Sequence, residues 1–213
     1  MAIAQPPAAP VTGGNPIQLT VTSEREINRL WGIPFIGNFV RAILVIPHVV
    51  VMMALGLGLY IWFILGWIPI LFLGRVPGIA VKLLTEYLHR GQRIAGYVVF
   101  LMPGGYPPLE PGAPIPLSLE INPESLEINR LWGIPVFGPV VRVILAIPHF
   151  FVLGFMGIFL GLSLVVLWIP ILVLGRYPGT LARFYESFMR YGVRVSAYIF
   201  LLPVPYPPFS FSR

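Results

Sequence analysis

The sequence predicts an all-α integral membrane protein of two tandem repeats, each a short transmembrane or re-entrant helical hairpin followed by an amphipathic interfacial helix. Three observations predict it. Of 213 residues, 57% are hydrophobic and only 10% charged, whereas a soluble domain carries roughly 25% charged residues. No charged residue lies between Arg41 and Arg75, or between Arg142 and Arg176. The segment Glu26–Pro34 (Glu-Ile-Asn-Arg-Leu-Trp-Gly-Ile-Pro) recurs letter for letter as Glu127–Pro135.

The repeat divides the chain. The two halves stay aligned without a gap from Glu26 and Glu127 to Leu101 and Leu202, with close to half of the positions identical, far more than two unrelated apolar segments would share. This reading gives an Ala/Pro-rich tail (1–16), a first repeat (17–102), a Pro/Gly-rich linker (103–116) and a second repeat (117–213). The tail has no Lys or Arg and no apolar core of signal-peptide length, so it reads as flexible or polyproline-like. The alternating stretches Ile17–Val21 and Leu117–Ile121 read as strands outside the membrane that pair with each other. A fused pair of this kind is expected to pack about a pseudo-twofold axis.

Within each half the order of motifs is the same. Arg-x-Ile-Leu-x-Ile-Pro-His runs from Arg41 to His48 and from Arg142 to His149. The long apolar stretch comes next, then Leu-Gly-Arg-x-Pro-Gly ending at Gly78 and Gly179, an amphipathic segment, and Tyr-Pro-Pro from Tyr106 and Tyr206. In this combination the sequence resembles the prokaryotic membrane family known as domain of unknown function 4389, in two tandem copies. The resemblance implies a bacterial or archaeal membrane protein and brings no reaction or ligand with it. The first half closes on Leu109 where the second has Phe209.

A bilayer core about 30 Å thick needs about 20 helical residues. Each charge-free run would make a straight helix of about 50 Å, long for one crossing and short for two. In one reading the run folds back as a hairpin, with its tip near Gly56–Gly58 and at Gly157–Gly161, where glycine permits a reversal. The 14 Lys and Arg then share one face, an extreme positive-inside pattern. In the other, an interfacial helix ends near Pro47-His48 and a single tilted helix crosses to Leu73. The next segment must then return across the membrane with Lys82, Glu86, Arg90 and Arg93 in one stripe. Arg183, Glu186, Arg190 and Arg194 repeat that stripe. Burying it in lipid is expensive unless it lines a bundle interior, whereas an interfacial helix keeps it wet. The hairpin with an interfacial helix is therefore preferred. Pro69 and Pro170 are tolerable in either reading if neighbouring groups take up the freed carbonyl. Trp67, Trp168, Tyr97, Tyr198, Tyr106 and Tyr206 bound the apolar stretches as an aromatic belt would.

The net charge of +6 and pI near 10.0 suit an anionic leaflet better than nucleic acid, because the basic residues flank apolar runs without forming a dense aromatic-laced patch. With no cysteine, disulfides, thiolate metal sites and cysteine nucleophiles are excluded. Residues expected at the membrane interface or against a partner are Arg29, Trp31, Arg41, His48 and Arg75, with Arg130, Trp132, Arg142, His149 and Arg176. In the lead-in segment, Trp anchors the interface, Gly-Ile-Pro turns the chain inward, and Glu, Asn and Arg tie it to the neighbouring interfacial helix. His48 and His149 invite a haem or metal reading from facing helices; the preferred reading is an interfacial histidine capping the break after Pro47 or Pro148 and facing headgroups. Glu86–Arg90 and Glu186–Arg190 read as solvated i,i+4 pairs. Gly91 and Gly192 read as close-packing points.

No catalytic constellation is visible: no Ser-His-acid set, phosphate-cradling loop or metal-spaced cluster. The expected function is therefore a non-enzymatic membrane scaffold, or an accessory subunit of a larger membrane complex, without catalytic residues, metal or cofactor. The alternative is a small transporter or channel formed by oligomerisation. Expected partners are the bilayer, with anionic headgroups, and other membrane subunits or copies of the chain. The expected location is the prokaryotic cytoplasmic (inner) membrane, multi-pass, with the basic face and both termini cytoplasmic.

Overall fold

The computed structural model describes residues 17–21, 27–33, 36–99, 106–107, 117–121 and 126–210. The Ala/Pro-rich tail (1–16) and most of the linker (103–116) lie outside the described residues. Six helices carry the fold: α1 (Ile36–Leu44), α2 (Ile46–Leu65), α3 (Trp67–Leu73), α4 (Gly78–Ile94), α5 (Phe137–Leu174) and α6 (Gly179–Ile199). Strands β1 (Ile17–Val21) and β2 (Leu117–Ile121) pair antiparallel, with Leu19 opposite Leu119.

The two long helical runs form for one reason and end for another. They are apolar all round, so lipid-like surroundings leave the backbone no partner but itself, and a helix pairs every interior group. Each ends at a glycine in the left-handed region, Gly74 (φ 67°) and Gly175 (φ 64°), whose N–H closes on the carbonyls of Ile70 and Ile171. That is the αL stop signal, and Pro77 and Pro178 then precede α4 and α6. The runs differ in continuity. Gly66 separates α2 from α3, where the second half has Leu167, a strong helix former. The first run also breaks at Val45 ahead of Pro47, whereas α5 passes through both Pro148 and Pro170.

The re-entrant hairpin is therefore overturned. Gly157 and Gly161 lie inside the uninterrupted α5, and Gly56 and Gly58 lie inside α2. None takes a positive φ. A reversal there would strand the terminal N–H and C=O groups of two helices in an apolar setting, while glycine within a helix costs only about 1 kcal/mol relative to alanine.

Each half is an antiparallel helical pair, α4 lying along α2 and α6 along α5. Gly91 meets Met52 and Gly192 meets Leu153 across these contacts, as close-packing points should. The halves are joined crosswise at their ends. Ile27 N–H donates to the Gly175 carbonyl (3.2 Å) and Ile128 N–H to that of Gly74 (2.9 Å). The 3-10 turn Arg29–Gly32 packs on α5 and the turn Arg130–Gly133 on α3. The start of each long run thus sits beside the end of the other. Since α5 alone is about 57 Å long by its rise, the runs must be antiparallel. The β1–β2 ribbon packs on the shorter helix of each pair, β1 on α6 and β2 on α4.

The buried core is shared: Leu59, Ile70, Val76 and Leu84 join Leu160, Leu167, Ile171 and Tyr185 in one cluster. Away from it, α2 and α5 expose large apolar side chains over most of their length, among them Leu57, Phe151, Ile158 and Val173, and Phe72 on α3 continues that surface.

Candidate functional site

The polar side chains on the long runs turn inward. Arg41 on α1 is 1% exposed and Arg142 on α5 is 3% exposed. The Arg41 guanidinium lies over the rings of Trp31 (4.6 Å) and Tyr97 (4.5 Å) and donates to the Tyr97 carbonyl (2.7 Å). That of Arg142 lies over Trp132 (4.8 Å) and Tyr198 (4.7 Å) and donates to the carbonyls of Tyr198 (2.8 Å) and Leu202 (2.9 Å). Planar guanidinium suits both tasks at once, stacking on rings and filling carbonyls in its own plane. Arg41 and Arg142, expected at the membrane interface or against a partner, are thus found in internal contacts, each tying the lead-in turn to the far end of its half.

His48 and His149, expected to face headgroups, turn inward in the same way. Both are buried. His48 Nδ1 is 3.2 Å from the Tyr106 hydroxyl. His149 Nδ1 is 2.5 Å from that of Tyr191, and its ring stacks on Phe209 at 4.3 Å with Tyr206 at its edge. The closing Tyr-Pro-Pro motif therefore folds back as the wall of a histidine box. The antiparallel runs place His48 and His149 toward opposite ends, roughly 20 Å apart along the axis by helical rise, so they do not face one another across a ligand. Among the described residues, Nε2 of both rings has no hydrogen-bond partner and no group of three metal-ligating side chains occurs.

The charged stripe of α4 and α6 is wet only at its start. Lys82 and Arg183 are exposed, whereas Arg90, Arg93, Arg190 and Arg194 are buried. Arg90 pairs with Glu86 at 3.5 Å, Arg190 with Glu186, Arg93 contacts His89, and Arg194 donates to the Ser210 carbonyl. Burial pushes the Arg93 and Arg194 guanidinium groups below their ordinary value, and the neighbouring Arg90 and Arg190 charges add to that. The arginines of the pairs expected to be solvated are thus inside the protein, while Glu86 and Glu186 stay partly exposed.

The remaining predicted residues gather at the crosswise joints. Asn28 and Asn129 cap the 3-10 turns by accepting from Leu30 N–H (3.0 Å) and Leu131 N–H (2.9 Å). The Arg29 side chain lies over Gly175 and that of Arg130 over Gly74, where a Cβ would crowd them. Arg75 and Glu127 form an exposed ion pair at 3.3 Å. Arg29 and Arg176 line an open cleft with Ile27, Asn28 and Leu174. Trp31 and Trp132 are half-buried under their arginines. Sequence reasoning missed one polar contact: Tyr185 donates to Ser163 Oγ (2.7 Å), which itself donates to the Leu160 carbonyl. The first half has Leu84 and Trp62 in those places, and Trp62 Nε1 instead donates to the Phe200 carbonyl across the halves (3.1 Å).

The architecture is that of a mostly helical chain in which two helices, α2 and α5, are long and apolar enough to cross a membrane by length and composition. Residues 139–211 match the family model described as Domain of unknown function (DUF4389). No curated protein and no solved structure matches the chain.

Proposed function

We propose that the chain is a non-enzymatic membrane protein, a scaffold or accessory subunit built from two copies (17–102 and 117–213) of the unit that the family model matches once. The observation that carries this is the disposition of its side chains. Large apolar groups cover the outward faces of α2 and α5, while Arg41, Arg142, His48 and His149 are consumed in internal contacts. A surface of that kind suits lipid and packed helices; a reaction needs groups presented in a cleft. Two copies are supported by the paired Asn caps, arginine stacks and crosswise joints, each of which occurs at matching places in both halves.

The exposed cations Arg29, Arg75, Lys82, Arg130, Arg176 and Arg183 suit anionic headgroups at about 1 kcal/mol each near a charged surface. The resemblance to a prokaryotic family supports a home in the cytoplasmic membrane, and the positive-inside rule supports a basic side turned toward the cytoplasm. Purification in a gentle detergent and reconstitution into liposomes tests the reading. The expected result is a membrane-bound protein that carries no ion flux. A small oligomer that conducts ions would replace the scaffold with the transport reading.

A further inference from the structure

We infer that the chain lies within one leaflet, its long helices parallel to the membrane plane, rather than crossing the bilayer. This rests on the membrane reading above and concerns how the surface meets lipid. The halves are antiparallel and cross-joined, so the axis relating them is perpendicular to α5 and passes through the β1–β2 ribbon, where Leu19 faces Leu119. If the long runs crossed the membrane, that axis would lie in its midplane. The ribbon would then sit at mid-depth. Among the described residues the ribbon has two strands and no third, which leaves two outer edges of backbone N–H and C=O groups, and open edges do not occur in hydrocarbon. Length argues the same way. The exposed apolar face of α5 runs from Phe137 to Val173, about 54 Å by helical rise, and fitting it into about 30 Å requires a tilt beyond about 50°, outside the range of about 0–40° seen for spanning helices.

With the axis along the membrane normal both difficulties vanish. The molecule becomes three layers: the long helices against the acyl chains, α4 and α6 above them, and the ribbon resting on α4 and α6. Exposed Phe39, Leu57, Phe72, Phe151, Ile158 and Val173 enter the lipid. Cations at the helix ends of both halves, Arg75 and Lys82 with Arg176 and Arg183, then address the same anionic headgroup layer, whereas a crossing pose would divide them between two faces.

The chain has no cysteine, so single cysteines report cleanly. In vesicles of phosphatidylethanolamine and phosphatidylglycerol, fluorophores on Ile144→Cys, Ile158→Cys and Val173→Cys, all at exposed positions on α5, should be quenched alike by lipids brominated at one depth. A crossing helix separates Ile158 from the other two by about 20 Å along its axis, and a quenching maximum at Ile158 alone would overturn the in-plane pose while keeping the membrane reading. Water exposure at all three positions would overturn the membrane reading itself. Lys82→Cys and Arg183→Cys should react with an impermeant maleimide from the same side of the cell membrane; reaction from opposite sides overturns the pose. Polarised infrared spectra of the unmodified chain in aligned bilayers should place the helix axes in the plane, and a mean axis along the normal would overturn it without any substitution.

Discussion

The guanidinium of Arg142 lies 4.8 Å from the ring of Trp132, and Arg41 stands over Trp31 at 4.6 Å in the same way. In both, the arginine comes from a long apolar run and the tryptophan from the 3-10 turn that precedes it. The charge is fully desolvated, so its stacking and its carbonyl bonds are made where they are strongest.

Replacing Arg142 tests that contact. Arg142→Lys keeps the charge but cannot lie flat on Trp132 while donating to both Tyr198 and Leu202, so a loss of about 1–3 kcal/mol is expected. Arg142→Met removes the guanidinium from both carbonyls, leaving that of Tyr198 only the Leu201 N–H (3.2 Å), and should lose at least as much. Thermal unfolding in detergent, followed by tryptophan emission, measures both. A lysine variant as stable as the parent would mean that the charge alone matters.

Glycine substitutions separate the joints from the helix interior. A Cβ on Gly133 would collide with the backbone of Ile70 and Leu71, and one on Gly157 would meet nothing within 4 Å. Gly133→Ala should therefore destabilise by about 1–3 kcal/mol through overpacking. Gly157→Ala should be neutral or stabilising by up to about 1 kcal/mol, as in any helix interior. Marked destabilisation by Gly157→Ala would restore a turn at that position.

The Arg75–Glu127 pair tests how little the surface of a joint contributes. Both side chains are about two-thirds exposed, and exposed pairs typically contribute about 0–1 kcal/mol. Glu127→Gln should shift the unfolding midpoint barely, and less still in high salt. The adjacent bond from Ile128 N–H to the Gly74 carbonyl is the part that holds.

His149 distinguishes packing from chemistry. Its ring stacks on Phe209, with one hydrogen bond to Tyr191 and an unpartnered Nε2. His149→Phe keeps the stack and removes the unpaired nitrogen, so a change of under about 1.5 kcal/mol is expected. His149→Ala opens a cavity and should cost about 2–5 kcal/mol. A phenylalanine variant that folds but no longer associates with membranes would give the imidazole a role of its own.

Much of this architecture was legible beforehand. The charge-free runs, the αL stops of Gly-Arg-x-Pro-Gly and the alternating strands all carry local signals, and Ile17–Val21 does lie opposite Leu117–Ile121. The hairpin misled because glycine pairs such as Gly56 and Gly58 mark either a reversal or an ordinary apolar helix, and nothing local distinguishes the two. The burial of Arg90 and Arg190 was hidden for a similar reason: i,i+4 spacing fixes a helical face but not what covers it. The arginine stacks could have been found. Trp31, Arg41 and Tyr97 match Trp132, Arg142 and Tyr198 at the same offset, and repetition of a cation with two rings is a contact signal. The crosswise joints left no such mark, because the lead-in segments that make them are letter for letter the same, and exchanging them leaves the sequence unchanged.

Those joints impose an order on biosynthesis. Residues 36–73 emerge from the ribosome before the turn at Arg130–Gly133, on which the end of α3 depends. The first-made half therefore leaves the ribosome with its Gly74 carbonyl and the backbone around Leu71 uncovered, and waits for the second to be translated. A nascent chain stalled within the linker would present an unfinished seam, which a second stalled chain could close with its own Glu26–Pro34, letter for letter the same as Glu127–Pro135.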